Sequence, residues 1–451
     1  MKNTLFASLL CVTVAVCSCA TAVQSHPLTD DALLDTVELY TSRYFTDFVN
    51  PRNGLARERS NMAYNGDVVT TGGTGFGLMA IIAAAERQYI PREQAVAQLD
   101  NITRFLERVE RFHGAWAHWY ASETEQVYPF SPFDDGGDLV ETAFLVEGLL
   151  VVREWLQDSP VEAEKAVALR ADKLWKEVEW DWYTQGTDSL YWHWSKNYGW
   201  KMNHRIKGYD ECFITYVLAA SSPTHPIRPQ VYEACYKHSP YYYNGKEYFG
   251  IPLSLGMEYG GPLFFTHYSW LGLNPNGLTD GTVNYFERNR AHAQIHYQYA
   301  LANPKGYKGY GANLWGFTSS DDPLVGYCSH HPGTPDENGT VSPTAAVSSI
   351  VYTPAESMAV IRHLYEDLGD RMFGPYGFYD AYNPSLDSAR QVVPHYLAID
   401  QGPMVAMIEN YRSGLIWRLF MQAPEIHAGL ESLGLRVLSP DGARLFDGVK
   451  F

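Results

Sequence analysis

Phe133-Asp134-Asp135-Gly136-Gly137-Asp138-Leu139-Val140-Glu141-Thr142 reads as the point where a loop turns into a helix. The apolar series Leu139, Ala143, Leu145, Val146, Leu149 and Leu150 follows at helical spacing. Asp138 suits an N-cap, because a short acceptor can satisfy free N–H groups of the first turn. Glu141, three residues on, completes a capping-box pattern and lies near Asp138 on the helix surface. Gly136 and Gly137 free the backbone before the helix to take conformations that other residues avoid. Asp134, Asp135, Asp138 and Glu141 thus crowd one helix entry. Read alone, the stretch is equally a capped helix with a solvated acidic loop.

Outward from it, helical periodicity recurs at 31–48, 78–87, 91–111, 138–155, 160–180, 208–220, 284–302, 354–368 and 399–409, and in a last set ending near 433. Thr70 to Gly77 is a Gly/Thr-rich lead into the helix at 78. Its Gly72-Gly73-Thr74-Gly75 lacks the Lys-Ser/Thr ending of a phosphate loop and follows no strand. Strand signals fall only in loops, as hairpins near Gly186-Thr187-Asp188 and Asn244-Gly245. No short repeat period marks a solenoid. Helices joined by alternately short and long loops predict an all-α fold, an α/α barrel with long aromatic loops and small hairpins gathered at one end.

The length of 451 residues exceeds the usual span of one domain, yet no break in composition marks a second. Residues are 46% hydrophobic, enough for a large core, and 14% aromatic, with 32 Tyr and 12 Trp. Aromatic faces stack on sugar rings while their polar edges bond hydroxyls; they also simply fill cores. A formal net charge of −17 argues against binding nucleic acid, which needs basic patches, and against a polyanionic sugar. A neutral substrate fits.

Lys2 and the apolar run from Leu5 to Val16 read as an export signal too short to span a bilayer. Val16-Cys17-Ser18-Cys19 ends like a bacterial lipobox. The expectation is a lipoprotein-type signal over 1–18, lipidation of Cys19, a linker over 19–30 and a single barrel domain over 31–451. The protein is then exported and lipid-anchored at the periplasm or outer membrane, its only membrane attachment the N-terminal lipid, and is a monomer. Ordinary cleavage near Ala22 is the alternative. Cys212, Cys235 and Cys328 remain, an odd count without metal spacing. Histidines including His113, His118, His204, His267, His330 and His331 show no zinc pattern, so no metal or cofactor is expected.

Acids recur at helix starts or loop edges: Asp134, Asp138, Glu141, Asp210, Glu211, Asp321 and Asp400. Glycoside hydrolysis needs two carboxyl groups, one protonated to release the leaving oxygen and one to activate water or attack. Burial or a neighbouring carboxylate raises the acid's pKa enough to keep its proton. Trp194, Trp200, Trp315, Tyr379 and Tyr382, with Asp321, are the candidate sugar contacts.

Trp315-Gly316-Phe317-Thr318-Ser319-Ser320-Asp321, Asn338-Gly339-Thr340-Val341-Ser342-Pro343, Tyr376-Gly377-Phe378-Tyr379-Asp380-Ala381-Tyr382-Asn383 and Ile399-Asp400-Gln401-Gly402-Pro403 resemble the "putative glucoamylase" domain, as does Gly136 to Thr142. Within it the chain looks closest to glycoside hydrolase family 144. That resemblance implies an (α/α)6 barrel cleaving β-1,2-glucan with inversion, either endo or by releasing sophorose. It also implies that Asp134, Asp138, Glu141, Glu211 and Asp400 are the important acids, with Glu211 as general acid and Asp400 as general base. An inverting pair stands ~6.5–9.5 Å apart. The alternatives are a lipid-anchored glycan-binding protein without catalysis, a hydrolase of another glucan linkage, and a polysaccharide lyase, which the acidic charge disfavours.

Overall fold

The computed structural model describes residues 27–61 and 67–438; the expected signal, Cys19 and the last residues of the expected domain lie outside them. Six chain segments with nearly every side chain buried form an inner ring. They are α2 (Thr71–Glu86), α4 (Leu139–Leu156), α6 (Phe213–Ser221), the 3-10 turns spanning 263–270, α9 (Pro343–Ser348) and α11 (Ala398–Arg412). A helix apolar all round belongs inside, and α2 and α4 read so. Outer helices alternate with them: α1 (Asp30–Thr46), α3 (Arg92–Arg108), α5 (Glu162–Lys176), α7 (Pro229–Val231, continuing as a π-turn over Tyr232–Lys237), α8 (Tyr285–Ala302) and α10 (Pro354–Arg362). In α3 and α5 only one face is buried, the mark of a helix lying on a core. Contacts run α2–α4, α4–α6 and α9–α11, and α11 returns to α2, closing an (α/α)6 barrel. The turns at 263–270 meet α6, and His267 Nε2 bonds Ser349 Oγ at 3.0 Å beyond α9. After the ring, α12 (Leu415–Phe420) and α13 (Pro424–Ser432) follow, and α13 packs on α6.

The Gly/Thr-rich run expected as a loop is the start of α2 itself. Helix α2 crosses α4 so closely that a Cβ on Gly75 would stand 2.2 Å from the Phe144 carbonyl oxygen. A Cβ on Gly148 would meet the Gly75 oxygen at 2.2 Å. Glycine costs a helix interior ~1 kcal/mol relative to alanine, so at an open site Gly75→Ala would stabilise. Here the sign inverts: we expect Gly75→Ala to lower the melting temperature, read by calorimetry, because the added methyl forces the two inner helices apart.

Other boundaries differ from the sequence reading. Residues 208–212 stay outside α6, which starts at Phe213. The hairpin of Tyr243–Tyr248 and Ile251–Leu255 turns at Phe249-Gly250, and Asn244-Gly245 lies at a register shift inside it. Gly136 and Gly137 are not at positive φ. They permit close approach, since a Cβ on Gly136 would meet the Trp194 carbonyl at 2.1 Å. Cys212, Cys235 and Cys328 are free thiols. Among the described residues no helix is long and apolar enough to cross a membrane.

Candidate active site

A cavity of about 440 Å³ opens at the end of the barrel where the inner segments begin. Thr70, Glu141, Glu211, Phe264 and Ile399, each at or near the start of an inner segment, line it. Helix N-termini carry partial positive charge, so carboxyl groups are accommodated there. Glu58, Arg59 and His118 complete the polar wall, and Trp119, Phe130, Trp192, Tyr268 and Tyr327 supply aromatic faces. Size and mixed lining suit a small organic ligand.

Asp138 is the N-cap of α4: its Oδ1 accepts from Val140 N–H at 3.0 Å and Glu141 N–H at 2.9 Å. Glu141 does not fold back as a capping box would. Asp138 N–H donates to the Trp116 carbonyl, and Glu141 Oε2 accepts from Gly72 N–H at 2.8 Å, tying α4 to α2. Asp138 Oδ2 receives His118 Nδ1 at 2.9 Å and stands 3.4 Å from His193 Nε2, which is 3.1 Å from Asp134. Burial opposes charge on both imidazoles, yet the carboxylates prevail. Glu141 and Asp138 raise His118 to about 9, and Asp134 and Asp138 raise His193 to about 10. Burial works against the Asp138 carboxylate too, but bonds from both histidines hold its pKa well below the usual range. Asp134, Asp138, His118 and His193 thus form one buried network of alternating charge beneath Glu141.

Glu141 itself is pushed up to about 7, first by burial and then by the charge of Asp138, against the pull of His118. Glu211 follows Asp210 in the loop before α6, its carbonyl accepting from Ser269 Oγ. Burial, then Asp210, Glu141 and Asp138, raise Glu211 well above the carboxylate range. A carboxyl that faces the cavity and keeps its proton at neutral pH is what a leaving glycosidic oxygen needs.

On the opposite wall, Arg59 is gripped from two sides. Glu58 takes its Nε at 2.6 Å, and both oxygens of Asp321 take its Nη1 at 2.8 Å. Asp321 therefore holds Arg59 and faces an adjoining recess, not the cavity. Its N–H donates to Asp380 Oδ2 at 2.6 Å. Asp400 is 2% exposed, bonds Asp380 and does not line the cavity. Burial and then Asp380 raise Asp400 well above the ordinary range, while burial and then Asp321 push Asp380 up to about 7. Asp400, expected as the general base, thus stands beside Asp380 just behind the cavity wall that Ile399 lines.

None of the aromatics expected to touch sugar lines the cavity. Trp315 is 1% exposed and its indole N–H reaches the Glu356 carbonyl. Tyr382 is buried in a strand pair with Val392. Tyr379 packs on Tyr396. Trp194 and Trp200 pack with Trp182 on the far side of the loop that carries Gly137. Trp192 enters the cavity instead, from the same Trp-rich stretch. Trp119, Phe130, Arg59 and Tyr327 had no signal of their own in the sequence, and His118 looked like one more structural histidine.

Among the described residues, three sets of side chains lie close enough to share a cation: His118, Asp134 and Asp138; Asp322, Cys328 and His330; and Asp210, Glu211 and Cys212. In the first two the histidine already answers a carboxylate directly, Asp138 at 2.9 Å and Asp322 at 3.1 Å.

The class that this fold and site define is that of the (α/α)6-barrel glycoside hydrolases. Residues 203–424 match the Glycoamylase family, described as "Putative glucoamylase". A structure titled as a "putative glucoamylase" from Bacteroides uniformis is 48% identical over 91% of this chain and 99% of that one, with a TM-score of 0.88. The endo-β-1,2-glucanase of Chitinophaga pinensis, solved with sophorotriose and glucose, is 48% identical over 92% and 100% of the two chains, with a TM-score of 0.87. The exo β-1,2-glucooligosaccharide sophorohydrolase of Parabacteroides distasonis is 41% identical over 91% of this chain, which spans 58% of that protein's length. The chain belongs to this glucoamylase-like family.

Proposed function

We propose that the protein hydrolyses β-1,2-glucan or its oligosaccharides with inversion, Glu211 giving its proton to the leaving oxygen and Glu141 drawing a proton from water. The observation that carries this reading is that Glu141 and Glu211 face one cavity, with proton affinities set apart from ordinary surface carboxyls by burial. Glu141 titrates near neutrality and becomes a base as it loses its proton; Glu211 keeps its own beyond that point. The imidazolium of His118, 3.8 Å from Glu141 Oε1, favours the ionised form during proton transfer. The relatives that act on β-1,2-linked glucose support the choice of linkage. Aromatic walls and the acidic balance of the chain suit a neutral sugar.

The test is digestion of linear β-1,2-glucan, following the anomeric proton of the product by NMR. Inversion of a β bond releases the α anomer first. Intact glucan, or a β anomer formed first, would overturn the reading. We further propose that the protein acts as a monomer, exported and held by a lipid on Cys19 at the periplasm or outer membrane. Its support is the charge, apolar run and lipobox of the first residues. Incorporation of a palmitate analogue that survives Cys19→Ser would count against it.

A further inference from the structure

We propose that Asp322, Cys328 and His330 bind one divalent cation of the zinc type and that this ion fastens the hairpin carrying Tyr327 into the cavity wall. The site lies outside the reaction and does not depend on the function proposed above.

The hairpin pairs Ser319–Asp322 with Gly326–Ser329, setting Asp321 opposite Tyr327 and Ser320 opposite Cys328. Paired residues share a face, and successive residues alternate faces. One face therefore carries Asp321 and Tyr327: Tyr327 lines the cavity, and Asp321 holds Arg59. The other face carries Asp322 and Cys328 as diagonal neighbours. His330, two residues beyond Cys328, stays on that side, its N–H donating to the Thr318 carbonyl at 2.9 Å. Asp322 and His330 are buried and Cys328 is half-buried. None of the three lines the cavity.

Their ligand atoms all lie within 4.8 Å of one another. His330 Nε2 is 3.1 Å from Asp322 Oδ2 and 3.3 Å from Cys328 Sγ. Around a tetrahedral zinc, with bonds of about 2.0 Å to nitrogen or oxygen and about 2.3 Å to sulfur, ligand atoms stand about 3.3–3.5 Å apart. The spacing needs little adjustment to admit the ion. A thiolate, an imidazole and a carboxylate are a set that zinc accepts, whereas calcium and magnesium take oxygen. One proton on Nε2 can point at the carboxylate or at the sulfur, not at both. A cation between the three answers both, and the thiol and imidazole protons pass to water as it binds.

The carboxylate is already fixed. Asp322 Oδ2 accepts from Asn338 Nδ2 at 2.7 Å and Thr340 Oγ1 at 2.8 Å, while Oδ1 accepts from Leu324 N–H and Val325 N–H at 2.7 and 3.1 Å. Such outer bonds hold a ligand in place before the metal arrives. Asp322 and Gly326 also line a recess of about 320 Å³, which gives the ion a way in. Sequence spacing hid the set, because the turn at 323–325 brings Asp322 back beside the strand that bears Cys328. With one ligand on the first strand and two on or just past the second, a bound ion ties the strands together and steadies Tyr327 and Asp321 on the opposite face.

The experiment is titration of the intact protein, first stripped with a chelator, with Co²⁺ as a coloured stand-in for zinc. The expected result is one Co²⁺ per chain with a thiolate-to-cobalt absorption that one equivalent of Zn²⁺ abolishes. Cys328→Ser should lose that absorption and Cys212→Ser, in the other cysteine-bearing cluster, should keep it. Thr340→Val should weaken binding by about 10–100-fold, the usual effect of removing an outer bond. Zn²⁺ should slow amide hydrogen exchange over 319–330 in the wild type and leave it unchanged in Cys328→Ser. An absorption that survives Cys328→Ser, or a wild type that takes up no stoichiometric Co²⁺, overturns the site. Zn²⁺ bound without any change in exchange overturns its role as a fastening.

Discussion

Glu211→Gln is expected to lower turnover of β-1,2-glucan by about 10²–10⁴-fold, the range that positioned proton transfer supplies, with little change in binding. Glu211 carries its proton at neutral pH because burial and three neighbouring acids oppose its charge. The amide keeps the shape and neutrality of that protonated carboxyl and removes only the transferable proton. The fold should therefore be as stable as the wild type, or more so at alkaline pH where Glu211 would otherwise ionise. Substrates that leave easily distinguish acid catalysis from a general disturbance. An aryl sophoroside needs little protonation, so the variant should lose far less on it than on glucan. Isothermal titration with an uncleaved oligosaccharide should give a dissociation constant within a few-fold of the wild type. Equal losses on aryl and natural substrates would remove Glu211 from the acid's role, and a wild type that binds but never cleaves would make the protein a glycan-binding module.

The ring of helices was legible because inner and outer helices write different patterns. The outer α3 and α5 keep one apolar face, and α4 keeps an apolar run on all sides. The start of α2 was not legible, because glycines that normally end helices are here selected by the crossing with α4, a contact 70 residues away in sequence. The acids at 134–141 and at Glu211 could be read because they cluster beside helix entries. Asp400 could be read as important but not as buried, since nothing local tells that Asp380 stands against it. The aromatics that line the cavity were not legible for a related reason. Trp192 and Trp194 lie two residues apart in one Trp-rich run, and only the pairing of Trp194 with Gly137 decides which reaches the cavity. Arg59 enters the site through its ion pair with a residue 262 positions away.

Asp138→Ala is expected to cost about 3–5 kcal/mol of stability, the range for breaking a buried charge network from one side; a lost helix cap alone costs ~1 kcal/mol. Asp138 is 0% exposed and serves two tasks with separate oxygens: Oδ1 caps α4, and Oδ2 answers His118 and His193. Asp138→Asn separates the tasks, because the amide oxygen can still cap while the charge is gone. The pH dependence gives the signature. His118 and His193 have raised pKa values when folded, so their stabilisation is fully present below the unfolded value of ~6.5. It is lost as pH rises through about 9 and about 10. Asp138 is depressed when folded, so its contribution is present above the unfolded ~3.9 and lost as pH falls through its lower native value. Glu141, raised to about 7, adds to the decline from its unfolded ~4.3 up to that point. Wild-type stability should therefore be greatest in mildly acid solution and fall toward pH 10. In Asp138→Asn the two histidines lose their shared anion and titrate at lower pH, so the fall between pH ~6.5 and ~10 should flatten. Urea unfolding across that interval, with imidazole titration followed by NMR, measures both. An unchanged slope would mean that His118 and His193 owe their charge to Asp134 and Glu141 alone, and that Asp138 is no more than the cap of its helix.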